Sequence, residues 1–78
     1  MELRQLEYFE AVQRNKNFTH AAAELHVTQP TVTTAIKNLE KELGVSLFDR
    51  EGGGMELTPA GEELLIRTQI ILKNVKKI

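Results

Sequence analysis

Residues 21–39 constrain the fold of this chain more than any other segment. They read AAAELHVTQPTVTTAIKNL. The pattern predicts a short Ala-rich helix, a tight turn at residues 25–27 and a second helix that begins with polar residues. The second helix is expected to bury Val32, Ala35, Ile36 and Leu39. Because the Ala side chains are small, the two helices can approach closely, as the crossing in a helix-turn-helix requires.

The exposed start of the second helix consists of side chains that suit a DNA groove. Thr28, Gln29, Pro30 and Thr31 are short or carry groups that can contact base edges. The Gln29 amide can bond adenine N6 and N7 together. Thr28 is expected first to cap the helix and second to contact a phosphate. These residues predict a DNA-binding module.

Apolar periodicity and end signals predict the remaining helices. An apolar stripe spans residues 3–14 and ends at the polar segment 15–17, after which Thr19 is a candidate cap for the next helix. The helix from Thr28 is expected to reach Leu43 and to stop at Gly44. Its face opposite the core holds Pro30, Thr34, Lys37 and Lys41.

Two short β-type segments at residues 45–49 and 55–58 flank a loop with three consecutive glycines. Glycines permit the positive φ angles of a tight hairpin, so we predict a β-hairpin and call it the wing. Thr58 is then expected to cap a last helix with Pro59 in its first position. The predicted fold is mainly α: a winged helix-turn-helix of three helices plus the wing, followed by a long linker helix.

Composition excludes several classes of protein. The 78 residues suffice for one small domain, and the absence of cysteine excludes disulfides and thiolate metal sites. No apolar run is long enough for a membrane span. A cytoplasmic location is expected, although the composition fits any other reducing compartment equally well. The net charge of −1 predicts only modest non-specific affinity for nucleic acid, and hence a need for dimerisation or direct base reading.

The ordered motifs of the whole chain resemble the N-terminal domain of LysR-type transcriptional regulators. They include LRQL at residues 3–6, VTQP at 27–30, LG at 43–44, LF at 47–48, Arg50 and LTPAG at 57–61. The resemblance implies a bacterial transcription factor that binds interrupted inverted repeats in double-stranded DNA at promoters. It also implies a homodimer through the last helix, a tetramer being open for the full-length protein.

The resemblance further implies two parts and a missing third. Residues 1–58 would form the winged helix-turn-helix DNA-binding domain, and residues 59–78 a truncated linker and dimerisation helix. A small-molecule effector would bind only to an absent C-terminal domain. The chain is therefore expected to be a DNA-binding fragment of the regulator.

The predicted DNA contacts combine the motif with the charge pattern. By the resemblance, the base-reading edge of the recognition helix comprises Thr28, Gln29, Pro30, Thr31 and Thr33. Thr34 and Gly53 stand where the family often has a basic residue, so affinity and sequence preference should differ from those of relatives. Arg50 is expected at a phosphate or the minor groove, unless it pairs with Glu51. The predicted set also contains Arg4, His20, Lys37 and Thr34.

Spacing in the last helix predicts the dimer interface. Apolar or small side chains recur at intervals of four and three residues. The expected dimer contacts are Leu64, Thr68, Ile71, Val75 and Ile78. Leu65 is expected to pack within its own chain instead.

The sequence supports alternative functions less strongly. A winged helix can also serve as a protein-interaction module, which a salt-dependent gel shift on inverted-repeat DNA would separate from a DNA-binding domain. Ser46 has no His–Asp arrangement, so no enzyme is predicted. His20 and His26 are poorly spaced for a metal, and no metal or cofactor is expected. The acidic pairs around residues 40–42 and 62–63 are interpreted as solvated surface.

Overall fold

The computed structural model describes residues 1–49, 51 and 55–76, which are mainly helical as predicted. These residues form four helices and one antiparallel pair of strands. The helices are α1 (Leu3–Asn15), α2 (Phe18–Leu25), α3 (Gln29–Leu43) and α4 (Pro59–Lys76). The strands are β1 (Phe48–Asp49) and β2 (Glu56–Leu57), with Phe48 opposite Leu57 and Asp49 opposite Glu56.

The core lies where α1, α2 and α3 meet the first strand of the wing. Phe9, Val12 and Phe48 are fully buried there together with Val32, Ile36, Leu39 and Leu47. The Phe48 ring lies 5.7 Å from the Phe9 ring and 6.2 Å from the Phe18 ring, between centroids. Tilted aromatic pairs of this kind stabilise the fold beyond the contribution of the apolar area that they bury. The wing is thus fixed to the helices through Phe48.

Helices α1, α2 and α3 each end in a left-handed residue, as short connections between helices require. The residues are Lys16 (φ 51°), His26 (φ 60°) and Gly44 (φ 71°). Gly44 confirms the predicted end of α3, and His26 occupies the turn between α2 and α3. This turn directs the chain from the buried Ala face of α2 into the polar start of α3.

The start of α2 differs from the prediction. Asn17, not Thr19, is the capping residue, and its side-chain Oδ1 accepts a hydrogen bond of 2.8 Å from the backbone N–H of His20. Phe18 is already the first helical residue. Because Asn and Thr are both good caps, the sequence offered two starts, and the packing of Phe18 on Phe48 accompanies the earlier one.

Glu40 has a structural role that the sequence did not indicate. It was predicted to be solvated surface, but its Oε2 accepts a 2.7 Å hydrogen bond from the backbone N–H of Leu47. Ser46 donates its hydroxyl to the carbonyl of Phe48 in the same loop. A charged acceptor on α3 therefore holds the segment that leads into β1.

The start of α4 is anchored to the loop before β1. Thr58 donates its hydroxyl to the carbonyl of Ser46 at 2.6 Å, and the same Oγ1 accepts from the N–H of Gly61 at 3.0 Å. The N–H of Thr58 donates to the carbonyl of Leu47. The predicted cap at Thr58 and the first helical position of Pro59 are both confirmed. Among the described helices, none is long and apolar enough to cross a membrane.

Candidate nucleic-acid interface

The outward face of α3 carries most of the predicted DNA contacts. Its inner face buries Val32, Ile36 and Leu39 completely. The exposed residues of the outer face, together with the residue that precedes the helix, are Thr28, Gln29, Pro30, Thr31, Thr34, Lys37, Asn38 and Lys41, and Thr33 is half-buried at its edge. No acidic residue occurs between positions 28 and 39. The face is therefore neutral or basic along most of its length.

Two hydrogen bonds between side chains order the first turn of this face. The Nε2 of Gln29 donates to the Oγ1 of Thr33 at 2.7 Å. The hydroxyls of Thr28 and Thr31 lie 2.8 Å apart and form a hydrogen bond with each other. Pro30 lies within the chain segment that each pair spans, and its exposed side chain offers only apolar surface. The structure thus brings together all five predicted residues of the base-reading edge.

The hydroxyl of Thr28 does not cap the helix, which corrects one sequence prediction. Thr28 occupies the N-cap position with extended backbone angles (φ −79°, ψ 155°), but its side chain bonds no backbone N–H. Its carbonyl accepts from the N–H of Val32 instead. The physical reason is competition, since Thr31 engages the hydroxyl that would otherwise accept from the backbone.

Arg4 joins the same surface from α1. An open cleft of about 270 Å³ separates the start of α1 from α3, and Arg4 lines it together with Thr31, Thr34 and Asn38. Asn38 is not among the predicted DNA contacts. Its position, four residues after Thr34 on the same helix, was the available signal.

The other basic residues among the predicted DNA contacts that the structure describes lie on different elements. Lys37 is exposed on the outer face of α3 and forms no ion pair within the described part of the chain. His20 is exposed on the first turn of α2. Arg50 and Gly53 lie outside the described residues, as does the rest of the glycine loop. Beside that loop, Asp49 accepts a 2.9 Å hydrogen bond from the N–H of Glu51.

Arg14 forms ion pairs with two carboxylates. Both carboxylates lie outside the segment 11–23 around Arg14, which contains no acidic residue. Its guanidinium donates to Glu10 on α1 at 2.9 Å and to Glu24 on α2 at 2.8 Å. Hydrogen bonds from Arg14 first and Asn15 second lower the pKa of Glu24 to about 2. Hydrogen bonds to Glu24 first and Glu10 second raise the pKa of Arg14. This cluster ties α1 to α2 and leaves little free positive charge there.

The predicted dimer contacts on α4 divide between its inner and outer sides. Leu64 and Leu65 are half-buried against the core, as predicted for Leu65. Thr68 is fully buried within its own chain and its hydroxyl has no hydrogen-bond partner, so its prediction as a dimer contact is wrong. The spacing was right for a helical stripe, but α4 docks that part of the stripe on its own domain.

Four apolar residues of α4 remain exposed. Ile71 and Val75 of the predicted set are 39% and 41% exposed, and Ile78 lies outside the described residues. Ile66 and Ile70 are 61% and 57% exposed and are not among the predicted dimer contacts. Their four-residue spacing was visible, but without the docking direction of α4 it did not distinguish an inner from an outer face.

Comparison with known proteins supports the same architecture. Residues 3–62 match the model of the bacterial regulatory helix-turn-helix proteins of the lysR family. The RuBisCO operon transcriptional regulator of Allochromatium vinosum is 43% identical over 76 residues, which cover 97% of this chain and 25% of that protein. The regulator CfxR of Cupriavidus necator is 46% identical over 74 residues, covering 95% of this chain and 23% of the relative.

Solved structures of the same kind superpose closely. The DNA-binding domain of BenM in complex with catB site 1 DNA has a TM-score of 0.93 at 40% identity, covering 99% of this chain and 86% of that one. The CbnR DNA-binding domain in complex with DNA has a TM-score of 0.90 at 44% identity, covering 99% and 88%. The chain spans about a quarter of the length of the two curated relatives. The predicted winged helix-turn-helix fold is confirmed by these matches.

Proposed function

Because the chain belongs to the lysR family of bacterial regulatory helix-turn-helix proteins, we propose that it binds double-stranded DNA sequence-specifically. The recognition helix α3 would enter the major groove, and the wing would lie on the backbone or in the minor groove. One observation carries the proposal: the outer face of α3 is exposed, rich in hydroxyl and amide groups, and free of acidic residues from Thr28 to Leu39. Such a face matches base edges bordered by phosphates.

The proposed DNA contacts divide into a base-reading group and a phosphate-binding group. Gln29, in the first turn of α3, is the candidate for direct base contact, since N-terminal residues of recognition helices meet base edges. Pro30 and Thr31 offer apolar surface to a thymine methyl group. The phosphate contacts are assigned to Arg4, His20, Lys37 and Arg50.

Substitution of Gln29 tests the proposal. Gln29→Ala should weaken binding to the cognate duplex by about 1–3 kcal/mol and relax the preference at one position in each half-site. Titrations on cognate and scrambled duplexes at several salt concentrations measure both effects. Lys41→Ala, on the same exposed face near the far end of α3, is the control and should leave the base preference unchanged. Equal losses on cognate and scrambled DNA for Gln29→Ala would contradict base reading.

A homodimer completes the proposed function. The exposed Ile66, Ile70, Ile71 and Val75 leave apolar surface on more than one side of α4 that its own domain does not cover. A second copy of α4 has the same surface, and a two-fold pair would present two recognition helices to the two halves of an inverted repeat. Dimerisation also offsets the low positive charge of each domain, because two linked contacts bind more tightly than one.

The proposed cellular role is based on the names of the relatives. The matched relatives are named as transcriptional regulators, which supports a role in transcription at bacterial promoters, in the cytoplasm. We assign residues 1–58 to DNA binding and residues 59–78 to the linker and dimer contact. Response to a small-molecule effector would belong to a further domain of the full-length regulator.

A further inference from the structure

The Gln29 amide at the start of α3 is held by a second side chain of the same helix. Its Nε2 donates to the Oγ1 of Thr33 at 2.7 Å, one helical turn further on. Residues at this spacing lie on the same helix face, so the bond forms without leaving the exposed surface. Thr33 is itself half-buried, which limits the movement of its hydroxyl. Gln29 is therefore oriented before any DNA arrives.

This bond changes what the amide can offer to a base. A glutamine amide has two N–H donors and one oxygen acceptor. With one N–H directed to Thr33, one donor and the Oε1 acceptor remain for a partner. The major-groove edge of adenine presents one acceptor, N7, and one donor, N6–H, which is the complementary set.

Guanine would be disfavoured by the same arrangement. Its major-groove edge presents two acceptors, N7 and O6. An amide with both N–H groups free can donate to both, whereas the Gln29 amide has only one left, and its Oε1 would face an acceptor. The held amide thus matches adenine and opposes guanine.

We infer that Thr33 is a positioning residue that fixes the Gln29 amide in the orientation that selects adenine over guanine. This inference rests on the proposed function, because it requires that Gln29 reads a base. Thr33 acts through Gln29. The hydrogen bond between the hydroxyls of Thr28 and Thr31 does not compete with the bond between Gln29 and Thr33, since it involves neither of these two residues. Holding the flexible Gln29 side chain in advance also removes part of the entropy loss on binding.

A matched pair of substitutions tests the inference. Thr33→Val keeps the branched shape and removes the hydroxyl, while Thr33→Ser keeps the hydroxyl. The probes are duplexes that the wild-type chain selects from a random-sequence library, and their counterparts with adenine replaced by guanine at the position where Gln29→Ala relaxes the preference. Thr33→Val should reduce the adenine-over-guanine ratio of affinities by about 3- to 10-fold, and Thr33→Ser should retain it.

The double variant separates positioning from direct contact. In a Gln29→Ala background, Thr33→Val should cause no further change in the ratio, because its effect passes through Gln29. An unchanged ratio in Thr33→Val, an equal loss on all sequences, or guanine as the selected base would overturn the inference. Circular dichroism verifies that each variant is folded. If the wild-type chain does not distinguish selected from scrambled duplexes, the proposed function itself fails, which is a different result from an ineffective Thr33→Val.

Discussion

Gly61 lies in the first turn of α4, where that helix crosses the loop before β1. A Cβ placed on Gly61 would clash with the backbone carbonyl oxygen of Leu47 and would lie 3.0 Å from Cδ2 of Leu57. The Leu47 carbonyl cannot easily retreat, because it accepts the N–H of Thr58. The glycine of the LTPAG segment therefore permits close contact between α4 and the wing.

Gly61→Ala should lower the free energy of unfolding by about 1–3 kcal/mol, because the added methyl overpacks a fixed backbone. Gly44→Ala is an instructive comparison, since open space surrounds Gly44 and only its positive φ of 71° opposes a side chain. That substitution should cost about 1–2 kcal/mol, and Gly44→Asn should cost less, because Asn tolerates this conformation. Urea denaturation of the variants measures the differences. Unchanged stability of Gly61→Ala would show that α4 can shift away from Leu47.

At the scale of elements, the Arg14 cluster joins α1 to α2 through Glu24. Because Arg14 lowers the pKa of Glu24 from 4.5 to about 2, the stabilising effect of this carboxylate is complete above pH 4.5. It decreases as the pH falls from 4.5 towards 2, since the unfolded chain then takes up its proton first.

An NMR titration of the Glu24 side-chain carboxyl should give a midpoint far below 4.5 in the wild-type chain. Arg14→Gln should return this midpoint towards 4.5, because it removes the first of the two hydrogen-bond donors. Arg67→Gln is the control, as it removes a similar surface cation that pairs with Glu63 on α4. A Glu24 midpoint that is unaffected by Arg14→Gln would contradict the pairing.

A substitution on the proposed recognition helix α3 is expected to increase DNA affinity. Thr34 is exposed beside the cleft that Arg4 and Asn38 line, so a longer side chain has room there. Thr34→Arg should strengthen binding to all DNA sequences at low salt and steepen the salt dependence by about one phosphate contact. Thr34→Gln adds similar length without charge and should not change the slope. Equal slopes for the two variants in salt titrations would mean that position 34 does not face a phosphate.

Local signals in the sequence were sufficient for most of the elements. Gly44 and Thr58 mark helix ends through local chemistry, so α3 and α4 could be placed from residues alone. The sequence could not choose between Asn17 and Thr19 as caps, because both residue types suit that position. The role of Glu40 depends on the return of Leu47 to α3, a contact between distant residues that periodicity does not contain.

In the candidate site, too, local signals were predictable from the sequence and side-chain contacts were not. The structure places the predicted base-reading residues of α3 together on one helix face, and their contact with bases stays a prediction. The motif missed their hydrogen bonds to one another, which depend on side-chain rotamers. Thr68 was misplaced because a heptad-like spacing does not reveal which side of α4 faces its own domain.

At the scale of the whole molecule, α4 packs on its own domain through one side and carries four exposed apolar side chains elsewhere on its surface. Thr68 and Gly61 are buried on one side, whereas Ile66 and Ile70 are exposed on the other and Ile71 and Val75 are partly exposed. A helix with this division is expected to pair with another copy, because isolated exposure of so many large apolar groups is unfavourable in water. In the proposed dimer, α4 would contact its own domain and the second copy through different residues.

Ile71→Asp should convert the dimer into a monomer and weaken binding to a full inverted repeat by about 100-fold or more, because the second half-site no longer benefits from linkage. Binding to a single half-site and the helical circular dichroism signal should change little, since Ile71 is outside the core cluster. Gln69→Asp introduces the same charge at an exposed polar position of α4 and is the matched control. Analytical ultracentrifugation and titrations on full and half sites measure both properties. A wild-type chain that sediments as a monomer at high micromolar concentration, yet binds the full repeat tightly, would show that α4 does not mediate dimerisation.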